Sequence, residues 1–134
     1  MPRVFVVDDE SVIASTLAAI LKLHGYSATS FISPLEALAA AQLKAPDLLI
    51  SDVLMPAISG IDLAILMKTQ YPACKILLFS GRAETADLLC AAREEEHDFT
   101  LLQKPVHPSA MLAKIRALMA GRGPMLAVKA SASA

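Results

Sequence analysis

Tryptophan is absent, aromatic residues make up only 4% of the chain, and there are just two cysteines among 134 residues. Cys74 and Cys90 stand far apart, with no C-x-x-C spacing and no histidine pair beside either. That excludes a disulfide framework, argues against a structural zinc site and fits buried free thiols in a reducing cytoplasm. No apolar run approaches the roughly 18 residues that a membrane-spanning helix needs. The amino terminus, Met1-Pro2-Arg3-Val4, enters an apolar run directly and lacks the layout of a signal peptide. An excess of charge is missing too. The formal net charge is -1, so no global basic field directs the chain to nucleic acid. A cytoplasmic location is expected, with no direct contact to nucleic acid or membrane.

What the chain does have is aliphatic bulk. Hydrophobic residues account for 55% against 19% charged, which excludes intrinsic disorder and suits helices packed closely on a sheet. Short apolar runs alternate with segments of helical spacing. Val4 to Val7 is a first strand, followed by a helix for which Ser11 is the expected N-cap. Ile13, Leu17, Ile20 and Leu21 form its apolar face, and His24-Gly25 its stop. A weaker strand spans Tyr26 to Phe31, with polar residues interleaved as at an edge. Ser33-Pro34-x-Glu36 has the pattern of a helix start, for a helix running to about Leu43. Asp47 to Ser51 is a third strand, and Ile61 to Gln70 a helix. Ile76 to Phe79 is a fourth strand, with a helix over roughly Glu84 to Arg93. Phe99 to Gln103 is a fifth strand, and the last helix starts at Pro108-Ser109 with Leu112, Ile115 and Met119 inward. Strict alternation of five strands and five helices implies an α/β fold of parallel βαβ units, with helices on both faces of the sheet.

Most of these strands end in a residue with usable chemistry. The first ends in Asp8-Asp9, the third in Asp52, the fourth in Ser80 and the fifth in Lys104. Parallel strands present those ends on one side of the sheet, so the five residues are expected to be neighbours. Each has a bland alternative: an aspartate at a strand end commonly caps a helix, Ser80-Gly81 is an ordinary turn, and Lys104 could be a surface lysine. Crowded carboxylates repel unless a cation joins them, and a hard divalent ion such as Mg²⁺ accepts two carboxylates together with phosphate and water. A carboxylate can also be a nucleophile toward phosphorus. Phosphoryl transfer then needs mainly positioning and neutralisation of the equatorial oxygens, which Mg²⁺, Lys104 and the Ser80 hydroxyl with nearby backbone N–H groups would supply.

With these residues, the chain resembles the receiver domain of bacterial two-component response regulators, of the stand-alone, single-domain type. The resemblance rests on V-F-V-V-D-D ending in Asp8-Asp9, on D-x-x-M-P-x-x-x-G from Asp52 to Gly60, and on Ser80-Gly81 and Lys104-Pro105. It implies a flavodoxin-like fold of five parallel strands in the order 2-1-3-4-5. It also implies that Asp52 is the phosphoacceptor. Asp9, Asp52 and the Leu54 backbone carbonyl would ligate Mg²⁺ (or Mn²⁺), and Asp8 would act through water. Ser80 and Lys104 would contact phosphoryl oxygens. The implied donor is a phosphohistidine on a sensor histidine kinase or phosphotransfer protein, or a small acyl phosphate. The implied output is a protein contact through the face made by the helix at 84–93, the fifth strand and the last helix. Residues 1–121 are expected to form this domain and 122–134 an Ala/Ser-rich tail.

The chain departs from the family pattern in three places. Leu101 stands where many receivers carry the aromatic residue that reports phosphorylation, and the nearest aromatic, Phe99, is one step farther from the site on the same strand face. An acidic run, Glu94-Glu95-Glu96, replaces a glycine before the fifth strand. Ser80 takes the place of the common threonine. Leu54 also separates the chain from phosphatases with an aspartyl nucleophile, which usually place a second aspartate at that position. No enzyme acting on outside substrates is expected, only a protein that catalyses its own phosphorylation and dephosphorylation. A phosphorylation-independent adaptor of the same fold is the remaining alternative.

Overall fold

In the computed structural model the described residues are 2–53, 55, 58–80, 100–103 and 107–120, with Ser80, Leu101 and Gln103 described by backbone alone. Strand β1 (Arg3–Val7) leads to helix α1 (Ser11–Leu23), and β2 (Ser27–Phe31) to α2 (Pro34–Leu43). Next come β3 (Leu48–Asp52), α3 (Gly60–Gln70), β4 (Lys75–Ser80), β5 (Thr100–Gln103) and a C-terminal helix, Pro108–Ala120. The five strands form one sheet in the order β2-β1-β3-β4-β5, and every pair is parallel. This is the expected topology. The helix expected over 84–93 lies outside the described residues.

The central strands carry apolar side chains on both faces because helices cover both. On one side Phe5, Val7, Leu49, Ile76 and Leu78 pack under α2 and α3, which contribute Ala37, Ala41, Leu63, Ala64 and Met67. On the other side Val4, Val6, Leu48, Ile50 and Leu77 meet Ala14, Ala18 and Leu21 of α1 and Met111, Leu112 and Ile115 of the C-terminal helix. Phe5 and Phe31 meet edge to face with ring centroids 4.8 Å apart, joining the edge strand to the core. Alanines on the helix faces let the helices approach the sheet closely.

The helix ends follow the local sequence signals at some positions and depart from them at others. Ser11 is the first residue of α1, and the N-cap is Glu10, whose carbonyl accepts from Ala14 N–H at 3.1 Å. The buried stripe of α1 is Ala14, Ala18 and Leu21, with Leu17 and Ile20 beside it; only Leu21 of the four expected residues is fully buried. The larger residues flank the contact because the small ones allow close packing. The α1 terminus is a Schellman motif: Gly25 N–H donates to Lys22 C=O at 3.2 Å, and Tyr26 N–H to Leu21 C=O at 3.1 Å. Gly25 has φ 91, a left-handed conformation that favours glycine. His24 closes the same turn with Nδ1 3.0 Å from Ile20 O. Ser33 caps α2 in an extended conformation, without a side-chain hydrogen bond.

Cys74 is buried beneath α3, and Lys68 Nζ donates to its carbonyl at 2.7 Å. Burial pushes the Cys74 thiol up to about 11, and desolvation lowers Lys68. Cys90 lies outside the described residues. A thiol so buried and so weakly acidic reacts slowly. In a Cys90→Ser background, Cys74 should therefore resist iodoacetamide at pH 8 in the native state and react at a free-thiol rate once unfolded. Equal rates in the two states would contradict the buried placement. Because the folded thiol keeps its proton, stability should also fall as pH rises from about 9 toward 11, and Cys74→Ala should lack that component of the slope.

Candidate functional site

The site is built where β1 and β3 end side by side. These strands are hydrogen-bonded neighbours with Val7 paired to Ser51, so Asp8 and Asp52 are the next residues along adjacent strands. Asp8 N–H donates to Phe31 C=O at 3.1 Å, fixing the exit of β1 against the end of β2. The Asp8 carboxylate is only 2% exposed and its Oδ1 accepts from Glu10 N–H at 2.9 Å. Asp9 is exposed and Asp52 half-buried. One carboxylate oxygen from each of Asp8, Asp9 and Asp52 lies within 4.8 Å of the other two. These three residues form the one metal-competent acidic group among the described residues. The donor set fits a hard divalent cation: all oxygen, two charged groups open to solvent and one buried behind them.

Asp52 is held through its backbone. Val53 N–H donates to Phe79 C=O at 3.0 Å, and Gly60 N–H donates to Val53 C=O at 2.7 Å. The buried Ser51 hydroxyl donates to Asp52 C=O at 2.9 Å and lies 3.9 Å from Met55 Sδ. Thus β4 on one side and the start of α3 on the other clamp the strand end. Gly60 makes this possible, since a Cβ there would overlap the Asp52 carbonyl. Its role is close approach, not a special backbone angle. Ser59 accepts from Asp62 N–H at 3.1 Å and caps α3 at the same point. Ser51 and the Ser59 cap escaped the reading of the sequence. The second carried a signal, because Ser59-x-x-Asp62 has the spacing of a capping box.

The other predicted residues are placed less fully. Ser80 ends β4, one residue beyond Phe79, which pairs with Asp52, and pairs itself with Gln103. Gln103 ends β5 and immediately precedes Lys104. The Ser80 side chain and all of Lys104, Leu54, Phe99 and the 94–96 acidic run lie outside the described residues. Leu101 pairs with Leu78 inside the sheet.

A family profile described as "Response regulator receiver domain" matches residues 4–116. The chain belongs to the receiver domains of response regulators. Among curated proteins, this receiver domain is 33% identical over 116 residues to the transcriptional regulatory protein CreB of Escherichia coli, covering 87% of this chain and 50% of that protein. It is 28% identical over 122 residues to the transcriptional regulatory protein PrrA of Mycobacterium tuberculosis, covering 91% and 52%. The chain thus spans about half the length of the curated relatives it matches. Among solved structures, the Vibrio cholerae chemotaxis protein CheY4 superposes with a TM-score of 0.77 at 28% identity, covering 88% of this chain and 98% of that one. The response regulator TrrA of Thermotoga maritima, solved in complex with Mg²⁺-BeF, gives 0.75 at 28% identity, covering 88% and 99%. The receiver assignment accounts for the acidic group at the carboxyl ends of β1 and β3.

Two outcomes follow for the receiver site. Gly60→Ala forces α3 away from the Asp52 carbonyl, and should cost about 1–3 kcal/mol or more by urea unfolding. A variant as stable as the wild type would remove the close approach from the account. Asp9→Asn relieves repulsion among three carboxylates and should raise the stability of the metal-free protein by up to about 1 kcal/mol, less in high salt. A divalent cation should reverse the order by stabilising the wild type more than the variant.

Proposed function

We propose that Asp52 is the phosphoacceptor of a two-component phosphorelay receiver that uses Mg²⁺ (or Mn²⁺). The observation that carries this is the convergence of Asp8, Asp9 and Asp52 within 4.8 Å at the carboxyl ends of β1 and β3. Asp9, Asp52 and the Leu54 carbonyl would hold the ion, and Asp8 would act through water. When bound, the ion supplies positive charge that lets carboxylates and phosphoryl oxygens share the site.

The chain's own residues do the rest. An Asp52 carboxylate oxygen forms the new bond to phosphorus, and the bond to the donor's leaving atom breaks on the opposite side. The clamp of Val53 and Gly60 around the strand end fixes the backbone that carries Asp52, which lowers the entropic part of the barrier. Ser80, at the end of β4, donates its hydroxyl to a phosphoryl oxygen, and Lys104, the residue after β5, balances charge on another. The donor is a phosphohistidine on a sensor histidine kinase or phosphotransfer protein, or a small acyl phosphate.

Phosphorylation adds roughly -1.5 to -2 charges to the site. That change shifts the face formed by 84–93, β5 and the C-terminal helix between two populations, and an output protein reads the difference. Receiver domains are phosphoacceptor signalling modules, and this one acts catalytically only on its own phosphoryl group. Residues 1–121 constitute the receiver and 122–134 a tail, and the setting is cytoplasmic.

Acetyl phosphate with Mg²⁺ tests the reading directly. The wild type should gain one acid-stable, hydroxylamine-labile phosphoryl group, while Asp52→Asn and metal-depleted protein should gain none. Lys104→Ala should still bind the ion but be labelled more slowly. Labelling that survives Asp52→Asn would place the acceptor elsewhere, and no labelling of the wild type would favour a phosphorylation-independent adaptor. Steady release of phosphate from excess acetyl phosphate with no phosphoprotein accumulating would instead indicate a phosphatase.

A further inference from the structure

Of the described serine, threonine and charged residues, only Asp8 and Ser51 are buried. Asp8 belongs to the acidic group. Ser51 does not, yet its exposure is 0%, as low as that of Leu48 and Leu49 before it. Alanine would fit such a position without taking a hydroxyl out of water, a loss that only a hydrogen bond offsets. Ser51 and Asp52 are consecutive in an extended strand, so their side chains leave on opposite faces. Ser51 shares its face with Leu49 and Val53, beneath α3.

The hydroxyl donates to the next residue. Ser51 Oγ lies 2.9 Å from the Asp52 carbonyl oxygen and 3.9 Å from Met55 Sδ. It has one proton, and a carbonyl is the stronger acceptor, so Met55 meets Ser51 by packing. Met55 is itself half-buried against the cluster beneath α2 and α3. Ser51 therefore touches both the first and the last of residues 52–55. Asp52 and Leu54, which carry two of the groups assigned to the ion, belong to that span. Gly60 closes the remaining side, where a Cβ would overlap the Asp52 carbonyl and come within 3.0 Å of Ser51 Oγ. The hydroxyl is thus enclosed between the strand end and α3.

We propose that Ser51 is a positioning residue for the divalent cation: it anchors the Asp52 peptide and Met55 and thereby sets how tightly the carboxylates bind the ion. The inference rests on the receiver reading of the same site. Ser51 faces away from the acidic group and acts through the backbone that carries Asp52. Without its hydroxyl, the Asp52 carbonyl loses a donor in a place closed to water, and the peptide after Asp52 gains freedom. The carboxylate then meets the ion over a wider range of positions, which weakens binding. Saturating ion restores the arrangement, so the loss falls on affinity and not on the phosphoryl step. A hydroxyl that served stability alone would not single out the ion.

Titration of the isotope-labelled full chain with Mg²⁺, followed by amide chemical shifts, is the test. Ile115→Val is the control, a buried change on the other face of the sheet that lowers stability without touching the site. Ser51→Ala should bind Mg²⁺ about three- to tenfold more weakly than the wild type, while Ile115→Val binds as tightly. In the metal-free state the Val53 and Gly60 amides, which close the strand end, should exchange faster in Ser51→Ala than in the control. At saturating Mg²⁺, labelling of Ser51→Ala by acetyl phosphate should return to the wild-type rate. Unchanged affinity or unchanged amide exchange in Ser51→Ala would overturn the inference, as would an equal loss of affinity in Ile115→Val. Labelling that stays slow at saturating Mg²⁺ also overturns it, because Ser51 would then act on the phosphoryl step. A wild type that binds no Mg²⁺ removes the receiver reading, and this inference with it.

Discussion

The hydrogen-bonded adjacency of β1 and β3 is the constraint on which the site depends. Both are buried central strands, and their parallel register sets Val7 against Ser51. One further residue on each strand is an aspartate. A ladder of four pairs, three of them apolar, holds together carboxylates that would otherwise repel. Packing on both faces resists that repulsion, so the acidic group can exist before any cation arrives. Moving either strand by one residue would turn its aspartate to the other face of the sheet and break up the group.

The second contribution comes from the start of α3. Ordinary helix starts stand clear of the strand that precedes them, but Gly60 lets the backbone of α3 press against the Asp52 carbonyl. The Ser51 hydroxyl and the Val53 amide complete the enclosure of that peptide. The peptide after Asp52 is therefore fixed from both sides, by β4 and by the start of α3. The role proposed for Asp52, accepting and losing a large charged group, would benefit from such an arrangement. The same economy shows in α1 and α2, where alanines form the sheet-facing stripe and larger aliphatics are left near the helix ends.

Much of this was legible in the sequence because strong local signals and the global fold agree. Alternating apolar runs announced parallel strands, those ending in Asp8-Asp9 and Asp52 announced the acidic group, and the sheet order followed from the family resemblance. Where reading failed, local rules competed with packing. Ser11 looked like a cap, but the turn after β1 advanced the helix start so that Glu10 took that place. In α1 the large residues seemed the natural core, yet the close approach to the sheet selected Ala14 and Ala18. Gly60 was visible as a glycine, but its neighbour was not.

The sequence by itself determined the element order, the parallel class of sheet and the identity of the residues at the strand ends, because periodicity and capping act within a few residues. Only the tertiary structure decided that three carboxylates fall within 4.8 Å of one another, that Gly60 touches the Asp52 carbonyl, and that the Ser51 hydroxyl lies between that carbonyl and Met55. Those facts depend on register and helix placement, which are set by contacts between residues far apart in the chain.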